Sequence, residues 1–263
     1  MTKSSKLTPN FLNKEAALIG VFDSGIGGLS ILKEIHKLIP SLPTIYLADQ
    51  ANFPYGNKTL DQIKAIASQN VERLMGLGVQ MIVIACNTAT VNTISFLRKK
   101  FPQIIFVGTE PAIKPAGLLA KKGIIVLSSP QATKSKQLTT LLRKYARKAN
   151  IFNIGSLELV SAIENGVSRQ KIKTILKKEL PSEILLQSDV LVLGCTHFPL
   201  VKNQIQNYVG DNIQIIDSGQ SIAKRTLFLL HQNKFRPQSP KPKNVYLTTG
   251  KSKQILGYSF ESI

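Results

Sequence analysis

Ile82-Val83-Ile84-Ala85-Cys86-Asn87-Thr88 and Leu191-Val192-Leu193-Gly194-Cys195-Thr196-His197 are two frames of one pattern. Each is an aliphatic, β-branched run, then a small residue, a cysteine and a pair of polar side chains. An unbroken apolar run of this length reads as a strand buried on both faces, as in a parallel sheet. The polar residues after it read as a helix start, where backbone N–H groups point outward and favour anions. A thiol held there has its thiolate stabilised and can serve as base or nucleophile. These are the only two cysteines in 263 residues. Their matched frames predict a site with two faces.

Outward from the frames, apolar runs alternate with amphipathic stretches, the pattern of βαβ units and a parallel sheet. Strands are expected at Leu18–Phe22, Thr44–Ala48, Met81–Ala85, Ile104–Val107, Ile124–Leu127, Ile151–Ile154, Val190–Gly194, Ile213–Ile216 and Val245–Thr248. Helices are expected at Leu60–Leu77, Thr90–Lys100, Gln137–Arg147, Gln170–Leu180 and Ile222–Leu230. Gly20-Val21-Phe22-Asp23-Ser24-Gly25 is echoed by Gln214-Ile215-Ile216-Asp217-Ser218-Gly219. With the paired cysteine frames, that echo predicts two similar α/β halves, each giving one thiol to a shared cleft. The Pro- and Lys-rich stretch Gln232–Asn244 reads as an exposed connection before one closing strand.

The length fits one large α/β domain or two of ordinary size. Met1 to Glu15 are polar and lack the apolar core of a leader, so residues 1–16 read as a loose tail. No apolar run approaches a membrane span, so no membrane role is expected. Two cysteines without a secretory leader point to a reducing compartment, the cytoplasm, and away from a structural disulfide. There are 34 basic against 15 acidic residues. Between Lys114 and Lys178 the balance is fourteen Lys/Arg to two acids, Glu158 and Glu164. Lys121-Lys122, Arg143-Lys144, Arg147-Lys148 and Lys177-Lys178 read as solvated helix faces. No aromatic interleaving or nucleic-acid-binding signature accompanies them, and nucleic acid is not the expected partner. An anionic small substrate gains from the same field.

Several constellations carry chemistry. Asp23-Ser24-Gly25-Ile26-Gly27-Gly28 permits close backbone approach and reads either as a cradle for a carboxylate or phosphate or as a plain tight turn. It is not the G-x-G-x-x-G of dinucleotide sites. Pro54-Tyr55-Gly56 is turn chemistry, with Phe53 and Tyr55 able to cap a cleft. Cys86, Cys195 and His197 could ligate zinc, but they number only three and no C-x-x-C pairing exists. A Cys-His hydrolase leaves the second matched thiol unexplained. His36 and His231 read as surface residues, and His197 as the functional histidine or one satisfied by a local hydrogen bond. Asp217-Ser218-Gly219 reads as a helix cap.

Two thiols suit the inversion of an amino-acid stereocentre without a cofactor. One group removes the weakly acidic α-hydrogen while another protonates the opposite face. Asp23 on one side and His197 on the other are placed to tune those protons.

The chain resembles the glutamate racemases, cofactor-independent enzymes that supply D-glutamate for bacterial peptidoglycan. The resemblance runs from Ile19-Gly20-Val21-Phe22-Asp23-Ser24-Gly25-Ile26-Gly27-Gly28-Leu29 to Thr248-Thr249-Gly250. It passes through Pro54-Tyr55-Gly56, Ala85-Cys86-Asn87-Thr88-Ala89-Thr90, Glu110-Pro111-Ala112-Ile113-Lys114-Pro115-Ala116 and Gly194-Cys195-Thr196-His197-Phe198-Pro199-Leu200. It implies two flavodoxin-like parallel-sheet domains with the active site in the cleft between them. The first would hold 17–107 and 219–263, the second 108–218. It implies that Cys86 handles the α-proton on the D-glutamate side and Cys195 on the L-glutamate side. Asp23 would assist the first thiol, and His197 with Glu164 the second. Ser24, Pro54, Tyr55, Gly56, Asn87, Thr88 and Thr196 would hold the substrate. Neither cofactor nor metal is implied, and a homodimer is left open.

Two places depart from the family pattern. Leu127-Ser128-Ser129-Pro130-Gln131-Ala132-Thr133 puts Ala132 where a threonine is expected, with Thr133 one place out of register. A hydroxyl lost from a substrate contact costs about 0.5–1.5 kcal/mol. Ser156-Leu157 replaces a common Cys-Pro and reads as a packing change. Two alternatives stand beside this reading: an aspartate racemase, since one methylene is worth only about 1–3 kcal/mol in a pocket, and a basic binding protein on an enzyme scaffold.

Overall fold

The computed structural model describes residues 19–235 and 244–263. The expected tail and most of the Pro- and Lys-rich connection lie outside them. The strands are β1 (Ile19–Asp23), β2 (Thr44–Ala48), β3 (Met81–Ile84), β4 (Ile105–Gly108), β5 (Gly123–Ser128), β6 (Asn150–Gly155), β7 (Val190–Leu193), β8 (Gln214–Ile216), β9 (Val245–Thr248), β10 (Lys253–Ile255) and β11 (Tyr258–Ser262). They form two sheets, β10-β11-β9-β2-β1-β3-β4 and β6-β5-β7-β8. Every pairing is parallel except β10 with β11.

Both sheets are mixed α/β and sandwiched between helices, so their central strands are buried throughout. Helices Leu29–Leu38 and Gly219–Gln232 cover one face of the larger sheet, Leu60–Gly76 and Asn87–Lys100 the other. In the smaller sheet Ile113–Leu119 and Lys136–Tyr145 lie on one face. Leu157–Glu164, Arg169–Glu179 and Lys202–Val209 lie on the other.

The two strand orders contain the same arrangement. Within β2-β1-β3-β4 and β6-β5-β7-β8 the first strand of each half is flanked by its second and third. In such a sheet the connections diverge between first and third strands, and ligands bind in the crevice at their carboxyl ends. Cys86 follows β3 and Cys195 follows β7, so the two cysteine frames are true counterparts. The Asp-Ser-Gly echo is not. Asp23 ends β1, the first strand of its half, whereas Asp217 follows β8, the fourth strand of its own. The topological partner of Asp23-Ser24 is Ser128-Ser129.

Ser218 takes the N-cap position of helix Gly219–Gln232 without a side-chain cap, and Asp217 Oδ1, one residue before, accepts from the Gly219 N–H at 3.0 Å. The closing segment holds three strands, not one. β10 and β11 form a hairpin through Leu256-Gly257, both at positive φ, +51° and +82°. The four basic pairs are exposed, but Lys121-Lys122 and Arg147-Lys148 sit in turns, not on helix faces. Asp189 gathers the N–H groups of Lys121, Lys122 and Gly123.

Candidate active site

The loops after β1, β2, β3, β5 and β7 converge where the two halves meet. Ser24, Pro54, Tyr55 and Gly56, then Cys86, Asn87 and Thr88 line a small cavity from the first half. Cys195, Thr196 and His197 line it from the second, with Ser129, Leu157 and Val160. Its volume is about 20 Å³. A larger cleft of about 860 Å³ lies against the same partition, sharing Asn87, Cys195 and Thr196 with it. Asp23 and Glu164 do not line the small cavity; each stands one hydrogen-bonded step behind it.

The two thiols are free and buried, and their surroundings differ. Cys86 caps helix Asn87–Lys100, its sulfur accepting from the Ala89 N–H at 3.5 Å. The thiol donates to Ser24 Oγ at 3.8 Å, and Ser24 donates to Asp23 Oδ1 at 3.5 Å. Burial, and after it the nearby Asp23 charge, push the Cys86 thiol well up, against the pull of the Ala89 N–H. The helix start therefore does not make Cys86 a thiolate: desolvation outweighs it. Burial raises Asp23 too, opposed by His197 and by donors from Gly25 and Thr196.

Cys195 precedes a 3₁₀ turn, Phe198–Val201, and the α-helix begins only at Lys202. Pro199, which brings no N–H, sits inside that turn. The expected helix start thus lies a turn away, and the immediate partner is His197, with Nδ1 at 3.8 Å from the sulfur. On its other side His197 Nε2 meets Glu164 Oε2 at 2.8 Å. Burial works against the imidazolium, but Cys195, Glu164 and Asp23 together carry His197 up to about 10. That environment favours the protonated ring, which can donate from both nitrogens, to Cys195 and to Glu164. Burial would raise Glu164, yet His197, the Ile26 N–H and Gln50 outweigh it and hold the carboxyl low.

The glycine loop after β1 does cradle a carboxylate, and it is the chain's own. The Ile26 N–H donates to Glu164 Oε2 at 2.8 Å. A Cβ on Gly27 would stand 2.5 Å from His197 Nδ1 and from Thr196 Oγ1. The loop is a seam as much as a binding turn. Thr196 Oγ1 donates across it to Asp23 Oδ2 at 2.9 Å, and Ser30 Oγ to the Thr196 carbonyl at 2.9 Å.

The turn after β2 is no surface feature. Tyr55 is buried and donates to Asp49 Oδ2 at 2.5 Å. Asp49, fully buried, also accepts from Asn52, Asn70 and Thr249. Phe53 packs on the His197 ring, centroids 5.7 Å apart. His36 is half-buried against Thr44, and burial lowers its pKa; His231 is exposed. Among the described residues no group of three or more His, Cys, Asp or Glu side chains is arranged to hold a metal ion.

Ala132 is buried and off the cavity, while Thr133 donates to the Pro130 carbonyl at 2.7 Å. The hydroxyl that does line the cavity is Ser129, 2.7 Å from Thr88 Oγ1. The Ser156-Leu157 departure is more than packing. Ser156 caps helix Leu157–Glu164, which carries Glu164, through the Leu159 N–H at 2.9 Å. Ser129, Leu157 and Val160 were not expected as site residues from the sequence. Aligning the first strands of the halves points to Ser129; nothing local marks the other two.

Two free thiols at equivalent points of two sheets thus line one cavity, each beside its own hydroxyl, imidazole or carboxylate partners. A family model described as Asp/Glu/Hydantoin racemase matches residues 19–226. The chain belongs to that family and is an amino-acid racemase. Within it, a glutamate racemase of Ectopseudomonas mendocina is 34% identical over 91% of this chain and 92% of its own length. The structure of Escherichia coli glutamate racemase with L-glutamate and the activator UDP-MurNAc-Ala superposes at TM-score 0.81, with 34% identity over 89% of this chain and 90% of that one. Francisella tularensis glutamate racemase with D-glutamate gives TM-score 0.77 at 28% identity, covering 91% and 90%. Among the described residues no helix is long and apolar enough to cross a membrane.

Proposed function

We propose that this racemase interconverts L- and D-glutamate without a cofactor, by proton transfer between Cys86 and Cys195. The observation that carries the reading is one free thiol from each half lining a single cavity, at equivalent points of two equivalent sheets. The glutamate bound in the similar structures supports the substrate.

In this reading Cys195 faces the α-hydrogen of L-glutamate and Cys86 that of D-glutamate. The resting Cys86 is a thiol and therefore the acid. At Cys195 the partner is His197, and in this reading the sulfur beside it acts as the base. Removal of the α-hydrogen by Cys195 and delivery from Cys86 invert the centre, and the roles exchange in the reverse direction. Asp23, through Ser24, and Glu164, through His197, hold each thiol's partner in place. Ser24, Asn87, Thr88 and Thr196 supply polar groups for the amino-acid end, and Tyr55 with Gly56 and Pro54 closes the wall. A water needs ~10–15 Å³ by the same measure, and glutamate several times that. Substrate entry thus requires the halves, 17–107 with 219–263 and 108–218, to part. The product would serve cell-wall peptidoglycan synthesis in the cytoplasm.

The test is incubation with L-glutamate in heavy water, following optical rotation and α-deuterium uptake, beside Cys86→Ser and Cys195→Ser. Racemisation with uptake in the wild type, lost in both variants, is expected. Full activity in either variant would sink the two-thiol mechanism. Inversion of aspartate but not glutamate would reassign the substrate.

A further inference from the structure

Gln50, in the stretch after the second strand, has no role assigned from the sequence, yet it joins three parts of the molecule. It lies in the turn after β2, half-buried, and its Nε2 donates to Glu164 Oε1 at 2.5 Å. Its Oε1 accepts from Thr248 Oγ1 at 2.9 Å. Thr248, at the end of β9, is fully buried and already accepts from the Gly250 N–H at 3.0 Å. The hydroxyl hydrogen is thereby directed to Gln50, which fixes the amide with its nitrogen toward Glu164. Glu164 then carries two first-half donors, Gln50 on Oε1 and the Ile26 N–H on Oε2, while Oε2 also meets His197.

We propose that Gln50 is a positioning residue for the Cys195 side of the reaction, transmitting the seating of the first half and of strand β9 through Glu164 to the His197 ring. The hydrogen bonds run Thr248, Gln50, Glu164, His197, Cys195, and the Gln50–Glu164 link crosses between the halves. When the halves part, Glu164 loses both first-half donors together, so the ring is fixed against the sulfur only in the closed state. The titratable groups facing Glu164 are His197 directly, and Asp23 and Tyr46 from the first half. The proposal rests on the two-thiol reading above, and its test separates the two.

Gln50→Leu removes the donor while keeping the bulk, and Gln50→Glu places a second carboxylate beside the first. The first readout is independent of turnover: ¹³C titration of the Glu164 carboxyl, assigned with Glu164→Gln. Loss of a charge-assisted donor should raise its midpoint by about one unit in Gln50→Leu, and by more in Gln50→Glu. The second readout is the pH profile of kcat/KM, whose acid limb should rise by the same amount. The third uses substrates deuterated at Cα. Enantiomers are equal in free energy, so kcat/KM must match in both directions and cannot report one face alone. Isotope effects can: in Gln50→Leu the effect should grow from L-glutamate and shrink from D-glutamate. An unchanged Glu164 midpoint overturns the proposal whatever the activity. So does a lower rate with the acid limb and both isotope effects in place. A wild-type protein that leaves glutamate unchanged defeats the two-thiol reading instead.

Discussion

Glu164 Oε2 stands 2.3 Å from the point a Cβ on Gly25 would occupy. The carboxylate of one half fills the space a side chain of the other half would need. Gly25→Ala must therefore push Glu164 off the Ile26 N–H and loosen its hold on His197. Overpacking of a filled seam costs about 1–3 kcal/mol, and racemisation should fall steeply. In a Glu164→Ala background the same substitution should cost little stability. A thermal-melt double-mutant cycle measures the difference, and additivity would contradict this account.

The His197 ring gives the stability a pH dependence of definite sign. Its pKa rises from 6.5 to about 10 in the folded protein. A raised pKa stabilises fully below the unfolded value and ceases to do so as pH climbs through the folded one. Stability should thus decline between about pH 6.5 and 10, over and above the trend of His197→Asn. Denaturant titrations at a series of pH values check it; parallel curves for the two proteins would refute it.

Ser129 offers a hydroxyl to Thr88 across the cavity and caps the turn at Ala132, whose N–H it accepts at 3.3 Å. Ser129→Ala should cost about 1 kcal/mol of stability through the lost cap. It should also raise KM for glutamate more than it lowers kcat, because Thr88 loses its fixed orientation. Ser129→Thr should retain both. Steady-state kinetics of the pair decides whether this hydroxyl matters in a chain that lacks the threonine at 132.

The sheets were legible because parallel strands buried on both faces leave unbroken aliphatic runs, such as Ile82–Ile84 and Leu191–Leu193. Their ends were legible too, since the residues that leave such strands are polar. β10 and β11 escaped because their residues are mostly exposed and carry no apolar run. The state of Cys86 was misread from its helix start, since burial cannot be weighed until the fold is known. Glu164 and Gln50 meet across 114 positions of chain, and only the docking of the halves creates that contact. The Asp-Ser-Gly echo misled for a related reason: similarity of sequence says nothing of which strand in the order carries it.

The repeated strand order has one more consequence. Two identical copies related by a two-fold axis would present two identical walls to the substrate. A single chain is free of that constraint, and here the walls have diverged: a hydroxyl and a carboxylate behind one sulfur, an imidazolium and a carboxylate behind the other. In the proposed reaction, mirror-image molecules would thus meet unlike surfaces. A compound shaped for one wall need not fit its opposite, so an inhibitor can be tailored to either stereochemical face of the same enzyme.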